Sequence, residues 1–184
     1  QLLSKVVSID MPAGPSEVMV IADEESNVSF VASDLISQAE HGNDSQVVLV
    51  TKSQSVADAV VLEIKEQLIQ LPRKDLAEES LKNSVAMIVN SKKEVIKTIN
   101  YYGPEHLILN ISNPEKYIDR IYNAGSVFIG PYTPESAGDY ASGTNHALPT
   151  NGWAKSYSGV SLDSFVKKIT FQEITKKGLK ILGP

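Results

Sequence analysis

The amino-acid sequence predicts one α/β domain with a mainly parallel sheet, and three observations support this fold class. Apolar runs of strand length alternate with longer segments of helical periodicity along most of the chain. The runs VMVIA and VVLV are continuously apolar, as expected for strands with both sheet faces covered. The 184 residues suffice for one well-buried domain. Strands joined by helices imply right-handed crossovers, so the predicted fold is an incomplete Rossmann-like sheet with helices on both faces.

The first third of the chain begins with two predicted strands and a helix. Residues 6–10 and 17–22 are strand-like, and the two prolines and one glycine between them predict a loop. A helix then begins at Ser26 or Asn27 and ends at Gly42. The helix is predicted because four apolar residues recur at helical spacing and form one face: Val28, Val31, Leu35 and Ala39.

The middle of the chain continues the same alternation. A buried strand at residues 46–51 precedes an amphipathic helix at residues 53–71, which Pro72 ends because proline has no backbone donor. Beyond it, the same criteria predict helices at residues 75–82, 91–101 and 114–122, and strands at residues 85–89, 106–109 and 126–129.

From residue 130 the sequence changes character. Residues 130–146 are polar, rich in glycine and proline, and without a core pattern. A loop of this length in a compact domain is functional or disordered, and its tyrosines, Asp139 and His146 favour a functional loop. Apolar anchors follow in the tail. We expect residues 1–150 to form the domain, and residues 151–184 an extension that packs on the domain or on a partner subunit.

Composition excludes several classes of protein. With a net charge of −5, the chain has no overall attraction to nucleic acid or to an anionic membrane. The absence of cysteine excludes disulfides and thiolate metal sites, and it suits the reducing cytoplasm. No apolar run approaches the roughly 20 residues that span a bilayer, and no signal peptide is recognisable. The termini Gln1 and Pro184 suggest a piece of a longer polypeptide.

The sequence carries neither of two common nucleotide-binding motifs. The loop at residues 11–17 lacks the pattern of a P-loop and precedes a strand instead of opening a helix. No Gly-x-Gly-x-x-Gly follows any predicted strand. The predicted fold therefore does not by itself imply a bound nucleotide.

One candidate metal site lies at the end of the first helix. Gln38 and His41 are three residues apart, so their side chains project about 60° apart on the same side. A histidine at a helix end often contacts only the last carbonyls, which is the simpler interpretation. Asp139 and His146 would complete a set of oxygen and nitrogen donors that suits zinc, manganese or cobalt. Their wide separation in sequence makes this a weak pattern.

Glu105 and His106 are a candidate acid–base pair. A carboxylate beside an imidazole offers two proton-transfer groups at one place, and a histidine of ordinary pKa acts as a base at neutral pH. In a strand, neighbouring side chains point to opposite faces, so a shared site requires an irregular turn. Alternatively, the pair is a structural histidine beside a surface glutamate. Residue chemistry alone thus predicts a metal or acid–base pocket in the loops of an α/β domain.

The chain resembles the L-histidinol dehydrogenase family over nearly its whole length. The motifs that carry the resemblance are MPAGPSE at residues 11–17, SQAEHG at 37–42, GPEHL at 103–107, and residues 125–150. The resemblance implies a zinc-dependent homodimer that oxidises L-histidinol to L-histidine. It also implies two NAD-dependent steps, with histidinaldehyde held by the enzyme between them.

Roles for individual residues follow from the same resemblance. Gln38, His41 and Asp139 resemble the zinc ligands of the family and contact the substrate together with Ser16 and His146. His106 resembles the base that removes the hydroxyl proton. Glu105 resembles the group that activates water to attack the aldehyde. In this scheme zinc orients the substrate.

The chain departs from the family in length. It lacks the preceding portion that supplies most NAD contacts, and the later segment whose histidine reaches the partner's zinc. We therefore expect the chain to be inactive alone and assign it no NAD-binding residue. Two other interpretations remain at this point: a zinc hydrolase that uses Glu105 to activate a metal-bound water, and a non-catalytic ligand-binding domain.

Overall fold

In a computed structural model of the protein, residues 11–12 and 14–183 are described. Their strands form a five-stranded sheet in the order β3-β2-β1-β4-β5, and every strand pair is parallel. The strands are β1 (Glu17–Ala22), β2 (Gln46–Thr51), β3 (Val85–Ile88), β4 (His106–Asn110) and β5 (Ser126–Ile129). The α/β fold class is confirmed, while the predicted strand at residues 6–10 lies outside the described residues.

Helices cover both faces of the sheet. They are α1 (Val28–Ala39), α2 (Gln54–Leu68), α3 (Lys74–Leu81), α4 (Lys92–Tyr102), α5 (Glu115–Ile118), α6 (Glu135–Tyr140) and α7 (Lys176–Leu182). Val18 and Val20 of β1 point into a core that also contains residues of α1, α2 and α3. Met19 and Ile21 point into a second core, which contains residues of α4 and α5. This two-sided burial explains the continuous apolar run of β1.

Two predicted elements differ from the structure. The helix predicted at residues 114–122 is shorter in the structure and ends at Ile118, and beyond it the Asn100 side chain accepts hydrogen bonds from the backbone of Tyr122 and Asn123. The predicted loop at residues 130–146 contains the short helix α6. Six residues are too few to show helical periodicity, and the first of them is a buried glutamate. Other boundaries agree within a few residues.

The topology brings several predicted site residues to the amino edge of the sheet. His106 is the first residue of β4 and pairs with Val18, one residue into β1. Helix α1 connects the carboxyl end of β1 to the amino end of β2, so its carboxyl end lies at this same edge. The residues near Ser16, Gln38 and His106 are therefore neighbours in the fold, although they are far apart in sequence.

The last part of the described chain is largely exposed. Two 3-10 turns, Trp153–Lys155 and Leu162–Phe165, precede α7, in which no residue is buried. Division of the chain at residue 150, with an extension that packs on the domain or on a partner, stays a prediction. Among the described residues, no helix has the length and apolar character needed to cross a membrane.

Candidate active site and metal centre

The Glu105 carboxylate is fixed by the start of β1. Its Oε2 accepts hydrogen bonds from the Ser16 hydroxyl (2.7 Å) and from the Glu17 backbone amide (2.9 Å). Glu105 itself is 4% exposed. A buried carboxylate with two donors on one oxygen is held in one orientation, while Oε1 takes part in neither bond. This arrangement leaves Oε1 as the oxygen that can orient a water molecule.

His106 is held as a neutral imidazole with a defined free nitrogen. Its Nδ1 lies 3.2 Å from the Glu17 carbonyl oxygen, to which it donates in the neutral form. That bond leaves Nε2 as the basic nitrogen. Burial lowers the pKa of His106, although the Glu105 charge acts in the opposite direction. The imidazole is thus available as a proton acceptor at neutral pH.

The structure brings Glu105 and His106 to one place. Glu105 Oε2 lies 3.6 Å from His106 Nδ1, although the two residues are adjacent in sequence. Regular strand geometry would send their side chains to opposite faces, but β4 begins only at His106. Glu105 belongs to the turn before the strand, which removes this constraint. Both groups contact the Glu17 peptide, whose contribution the sequence did not reveal.

Gln38 and His41 occupy the carboxyl end of α1. Gln38 is completely buried, and neither of its amide atoms has a hydrogen-bond partner among the described residues. The His41 backbone amide donates to the Gln38 carbonyl (3.2 Å), so a turn continues beyond the end of the helix. A buried amide without partners is costly unless a ligand completes it. The negative end of the α1 dipole favours a cation here.

Helix α6 supplies two carboxylates to the same region. Glu135 and Asp139 are four residues apart on this helix and therefore project to the same side. Gly138 lets α6 approach closely, since a Cβ there would lie 2.8 Å from the Phe128 ring. That ring packs against His106 with centroids 5.9 Å apart. Asp139 was predicted as a site residue, whereas Glu135 was missed because the helical spacing in residues 130–146 was not recognised.

His41, Glu135 and Asp139 form a compact group of potential metal ligands. One ligand atom from each lies within 4.8 Å of those of the other two. His41 is exposed, whereas Glu135 is 1% exposed. The group therefore has a solvent-facing side and a buried side. Imidazole and carboxylate donors are ligands that zinc, manganese and cobalt accept.

Two buried acidic side chains near the predicted site have strongly raised pKa values. Burial, followed by the nearby Asp139 charge, raises the pKa of Glu135 to about 8. Burial alone raises the pKa of Asp34 to about 7. Asp34 lies one helical turn before Gln38 on α1, and its charge also acts on Glu135. Sequence analysis missed Asp34, since a lone aspartate in a helix carries no distinguishing signal.

The remaining two predicted substrate contacts have protein partners in the structure. The Ser16 hydroxyl donates to Glu105, as described above. His146 is two-thirds exposed, and its Nδ1 lies 3.1 Å from Asp139 Oδ1. This contact places the His146 imidazole beside the Asp139 carboxylate. The structure therefore connects each of these two residues to another member of the predicted site.

Comparison with known proteins identifies the family. The family model for histidinol dehydrogenase matches residues 1–184, the whole chain. The chain belongs to the histidinol dehydrogenase family. The resemblance inferred from the motifs is thereby confirmed.

Individual histidinol dehydrogenases show the extent of the match. The chain is 57% identical to the protein of Bacteroides thetaiotaomicron over 185 residues, which cover 100% of this chain and 43% of that protein. It is 57% identical to a chloroplastic histidinol dehydrogenase of Arabidopsis thaliana over 180 residues, covering 97% of this chain and 39% of that protein. The chain thus spans about two-fifths of the length of these relatives.

A solved structure shows the same fold. The crystal structure of histidinol dehydrogenase from Elizabethkingia anophelis matches with a TM-score of 0.93 and 58% sequence identity. The match covers 96% of this chain and 41% of that one. The α/β architecture described above is therefore an architecture found within the histidinol dehydrogenase family.

Proposed function

We propose that the protein to which this chain belongs oxidises L-histidinol to L-histidine through histidinaldehyde, with NAD as the hydride acceptor and zinc as the bound metal. The observation that carries this proposal is the fixed pair of Glu105 and His106 beside the potential ligands His41 and Asp139. Family membership favours this reaction over the zinc hydrolase and the non-catalytic binding domain.

The described residues fit a divalent ion. Gln38 offers a buried amide oxygen without a partner among the described residues, and a ligand atom of His41 lies within 4.8 Å of one of Asp139. We assign these three side chains as zinc ligands. Bound there, zinc would hold the imidazole and amine of histidinol in position. The sequence offers no glycine-rich dinucleotide turn, so we assign no NAD contact to this chain.

His106 acts in the oxidation of the alcohol. This oxidation removes a proton from oxygen and a hydride from carbon. His106 Nε2 is the free basic nitrogen, and it accepts the hydroxyl proton because Nδ1 is occupied by the Glu17 carbonyl. Burial keeps this imidazole neutral before the proton arrives. His106 is therefore the base of the first oxidation.

Glu105 acts in the oxidation of the aldehyde. An aldehyde must first add water, because only the hydrate carries a hydroxyl and a hydride on the same carbon. Glu105 Oε2 is fixed by Ser16 and Glu17, which leaves Oε1 to remove a proton from the attacking water. Ser16 supports this step through Glu105. Asp139 and His146 contact each other and complete the proposed substrate contacts.

An exchange of segments between homologues tests this function. The matching segment of the Bacteroides thetaiotaomicron protein is replaced by this chain, and the production of NADH from L-histidinol and from L-histidinaldehyde is measured. We expect activity comparable to the parent. His106→Asn should lower kcat with histidinol by about 10²–10⁴-fold, as for loss of a general base. Glu105→Gln should produce a similar loss with histidinaldehyde.

The controls separate chemistry from folding. Glu66→Gln changes an exposed carboxylate of α2 and should leave both rates unchanged. A folded hybrid protein without activity would contradict the proposed function. Equal activity of the His106→Asn variant with histidinol would contradict the assigned base. A homodimeric state and a cytoplasmic location of the whole protein remain predictions of the family resemblance.

A further inference from the structure

We propose that Tyr102 is a positioning residue for the reaction, because its hydroxyl supports the peptide that orients Glu105 and His106. The inference rests on the proposed function, in which these two groups carry out the proton transfers. Tyr102 was not among the site residues suggested by the sequence. Its effect passes through the first residues of β1 and β2, so it requires no contact with the substrate.

The Tyr102 hydroxyl joins the starts of two neighbouring strands. It lies 2.6 Å from Gln46 Oε1 and 3.1 Å from Glu17 Oε2. Glu17 and Gln46 are the first register pair of β1 and β2. Gln46 Nε2 donates to the Asn83 carbonyl (2.7 Å), so Oε1 is the amide atom directed at the hydroxyl. One side chain thereby connects both strand starts to the end of α4.

Both contacts of this hydroxyl can be hydrogen bonds at the same time. Burial raises the pKa of Tyr102, so the hydroxyl keeps its proton and donates it. Burial also raises the pKa of Glu17, which is 7% exposed. A protonated Glu17 donates to the phenol oxygen while the Tyr102 proton goes to Gln46. The hydroxyl then holds the two strand starts in one geometry.

The peptide between Ser16 and Glu17 receives this support. The Gln46 backbone amide donates to the Ser16 carbonyl (3.2 Å), and the Glu17 amide of the same peptide donates to Glu105 Oε2 (2.9 Å). The next carbonyl, that of Glu17, lies 3.2 Å from His106 Nδ1. A continuous series of hydrogen bonds therefore runs from the tyrosine hydroxyl to both groups of the proposed catalytic pair.

The end of α4 gives the Tyr102 ring a fixed position. The ring packs against the second core, in which Val95 and Ile99 of the same helix are buried. The Gly103 amide donates to the Ile99 carbonyl (2.8 Å), and Gly103 ends the helix in the left-handed conformation that glycine allows. A shift of the hydroxyl would therefore require a shift of the helix end.

Kinetics of the hybrid enzyme test the inference. Tyr102→Phe removes the hydroxyl and keeps the ring, and Tyr101→Phe is the matched control, since Tyr101 is the preceding residue of α4 and is 80% exposed. NADH production is measured from L-histidinol and from L-histidinaldehyde. We expect Tyr102→Phe to lower kcat by about tenfold to 10²-fold with both substrates, because a misplacement of about 1 Å has effects of this size. KM should change little, and the control should retain the rates of the unmodified hybrid.

The pH dependence of kcat/KM with histidinol distinguishes positioning from a loss of folded protein. The hydrogen bond to the Glu17 backbone raises the pKa of His106. If the carbonyl moves away, this pKa falls, and the acid limb of the profile moves to lower pH by up to about one unit. A smaller folded fraction lowers the whole profile without moving it. Four other titratable groups face His106 and are the same in both enzymes: His41, Glu105, Glu135 and Asp139.

The outcomes separate this inference from the proposed function. An inactive unmodified hybrid that is folded would contradict both. An active hybrid in which Tyr102→Phe leaves kcat unchanged, or lowers it without moving the acid limb, would show that Tyr102 is not a positioning residue, while the proposed function stands. Thermal unfolding shows whether each variant is folded. If Tyr102→Phe does not fold, Gln46→Met removes the other partner of the shorter hydrogen bond, and the same results decide.

Discussion

The peptide of Glu17 fixes the proposed catalytic pair, Glu105 and His106, through its backbone. Its amide donates to Glu105, and its carbonyl lies within hydrogen-bond distance of His106 Nδ1. The Glu17 side chain points elsewhere and lies 3.1 Å from the Tyr102 hydroxyl. The orientation of Glu105 and His106 therefore depends on the position of the first β1 peptide more than on the side chain at residue 17. Sequence inspection does not reveal such a contribution, since every residue has an amide and a carbonyl.

Asp34 predicts a pH dependence of stability. Its pKa is raised from 3.8 to about 7 by burial, so the folded state retains a proton that the unfolded state releases from about pH 4. The free energy of unfolding should therefore decrease as the pH rises from about 4 to about 7. Asp34→Asn removes this loss. The variant should exceed the unmodified chain in stability at pH 8, by at most about 4 kcal/mol.

Denaturant unfolding between pH 4 and pH 8 measures this difference. Asp119→Asn, at an exposed position after α5, is the control and should leave the pH profile unchanged. A profile for Asp34→Asn that runs parallel to that of the unmodified chain would show that Asp34 has an ordinary pKa in the folded protein.

At the scale of elements, the site is assembled where turns meet the amino edge of the sheet. Glu105 lies in the turn before β4, Ser16 lies before β1, and His41 lies just after α1. The direction of each of these side chains is therefore not fixed by the periodicity of a strand or a helix. The close approach of these turns depends on small residues, and Gly125 provides the clearest example. A Cβ at Gly125 would lie 2.6 Å from the Glu105 carbonyl oxygen.

Gly125→Ala should therefore disturb both the fold and the proposed catalytic pair, Glu105 and His106. The Glu105 carbonyl accepts the Ser126 amide (2.8 Å), and a methyl group at residue 125 would push these two strands apart. We expect a destabilisation of about 1–3 kcal/mol, the usual result of overpacking. Activity in the hybrid enzyme should fall as Glu105 moves. Thermal unfolding and NADH production measure the two effects.

Gly178→Ala, in helix α7, provides the comparison. The nearest atom to its Cβ would be a flexible Thr175 side-chain oxygen at 3.3 Å, and alanine favours helices more than glycine does. This substitution should leave stability unchanged or raised. A Gly125→Ala variant as stable and as active as the unmodified protein would show that the turn before β5 adjusts without affecting Glu105.

At the scale of the whole molecule, burial is concentrated around the sheet. Residues of α1 through α5 and of strands β1, β2, β4 and β5 form the two cores, whereas the described tail exposes most of its large apolar side chains. Phe128 of β5 is 6% exposed, whereas Phe171 of the tail is 89% exposed. The two phenylalanines thus lie at opposite extremes of burial within one chain.

Substitution of these two residues should lower the free energy of unfolding by very different amounts. Phe128→Ala removes a core side chain that packs on His106, and should destabilise by about 3–5 kcal/mol. Phe171→Ala removes few contacts, and should change the free energy of unfolding by less than about 0.5 kcal/mol. Denaturant unfolding of both variants measures the contrast. A large loss in Phe171→Ala would show that the tail packs on the domain in solution, as one of the sequence predictions proposed.

The fold class, most element boundaries and the family could be predicted from the amino-acid sequence alone. Apolar periodicity reports which face of an element is buried, and the GPEHL and SQAEHG motifs are specific enough to suggest the histidinol dehydrogenase family. The sequence also predicted that Gln38 and His41 project to the same side of α1, because residues three positions apart are neighbours on the surface of a helix.

Which groups from distant parts of the chain share one environment became known from the three-dimensional structure. The Glu17 backbone bonds to Glu105 and the carboxyl cluster of Glu135 with Asp139 depend on how turns meet across the sheet. The raised pKa of Asp34 results from burial by residues distant in sequence. Local patterns encode the periodicity of a segment. Desolvation and long-range contact are properties of the packed molecule, because they depend on every element that surrounds a side chain.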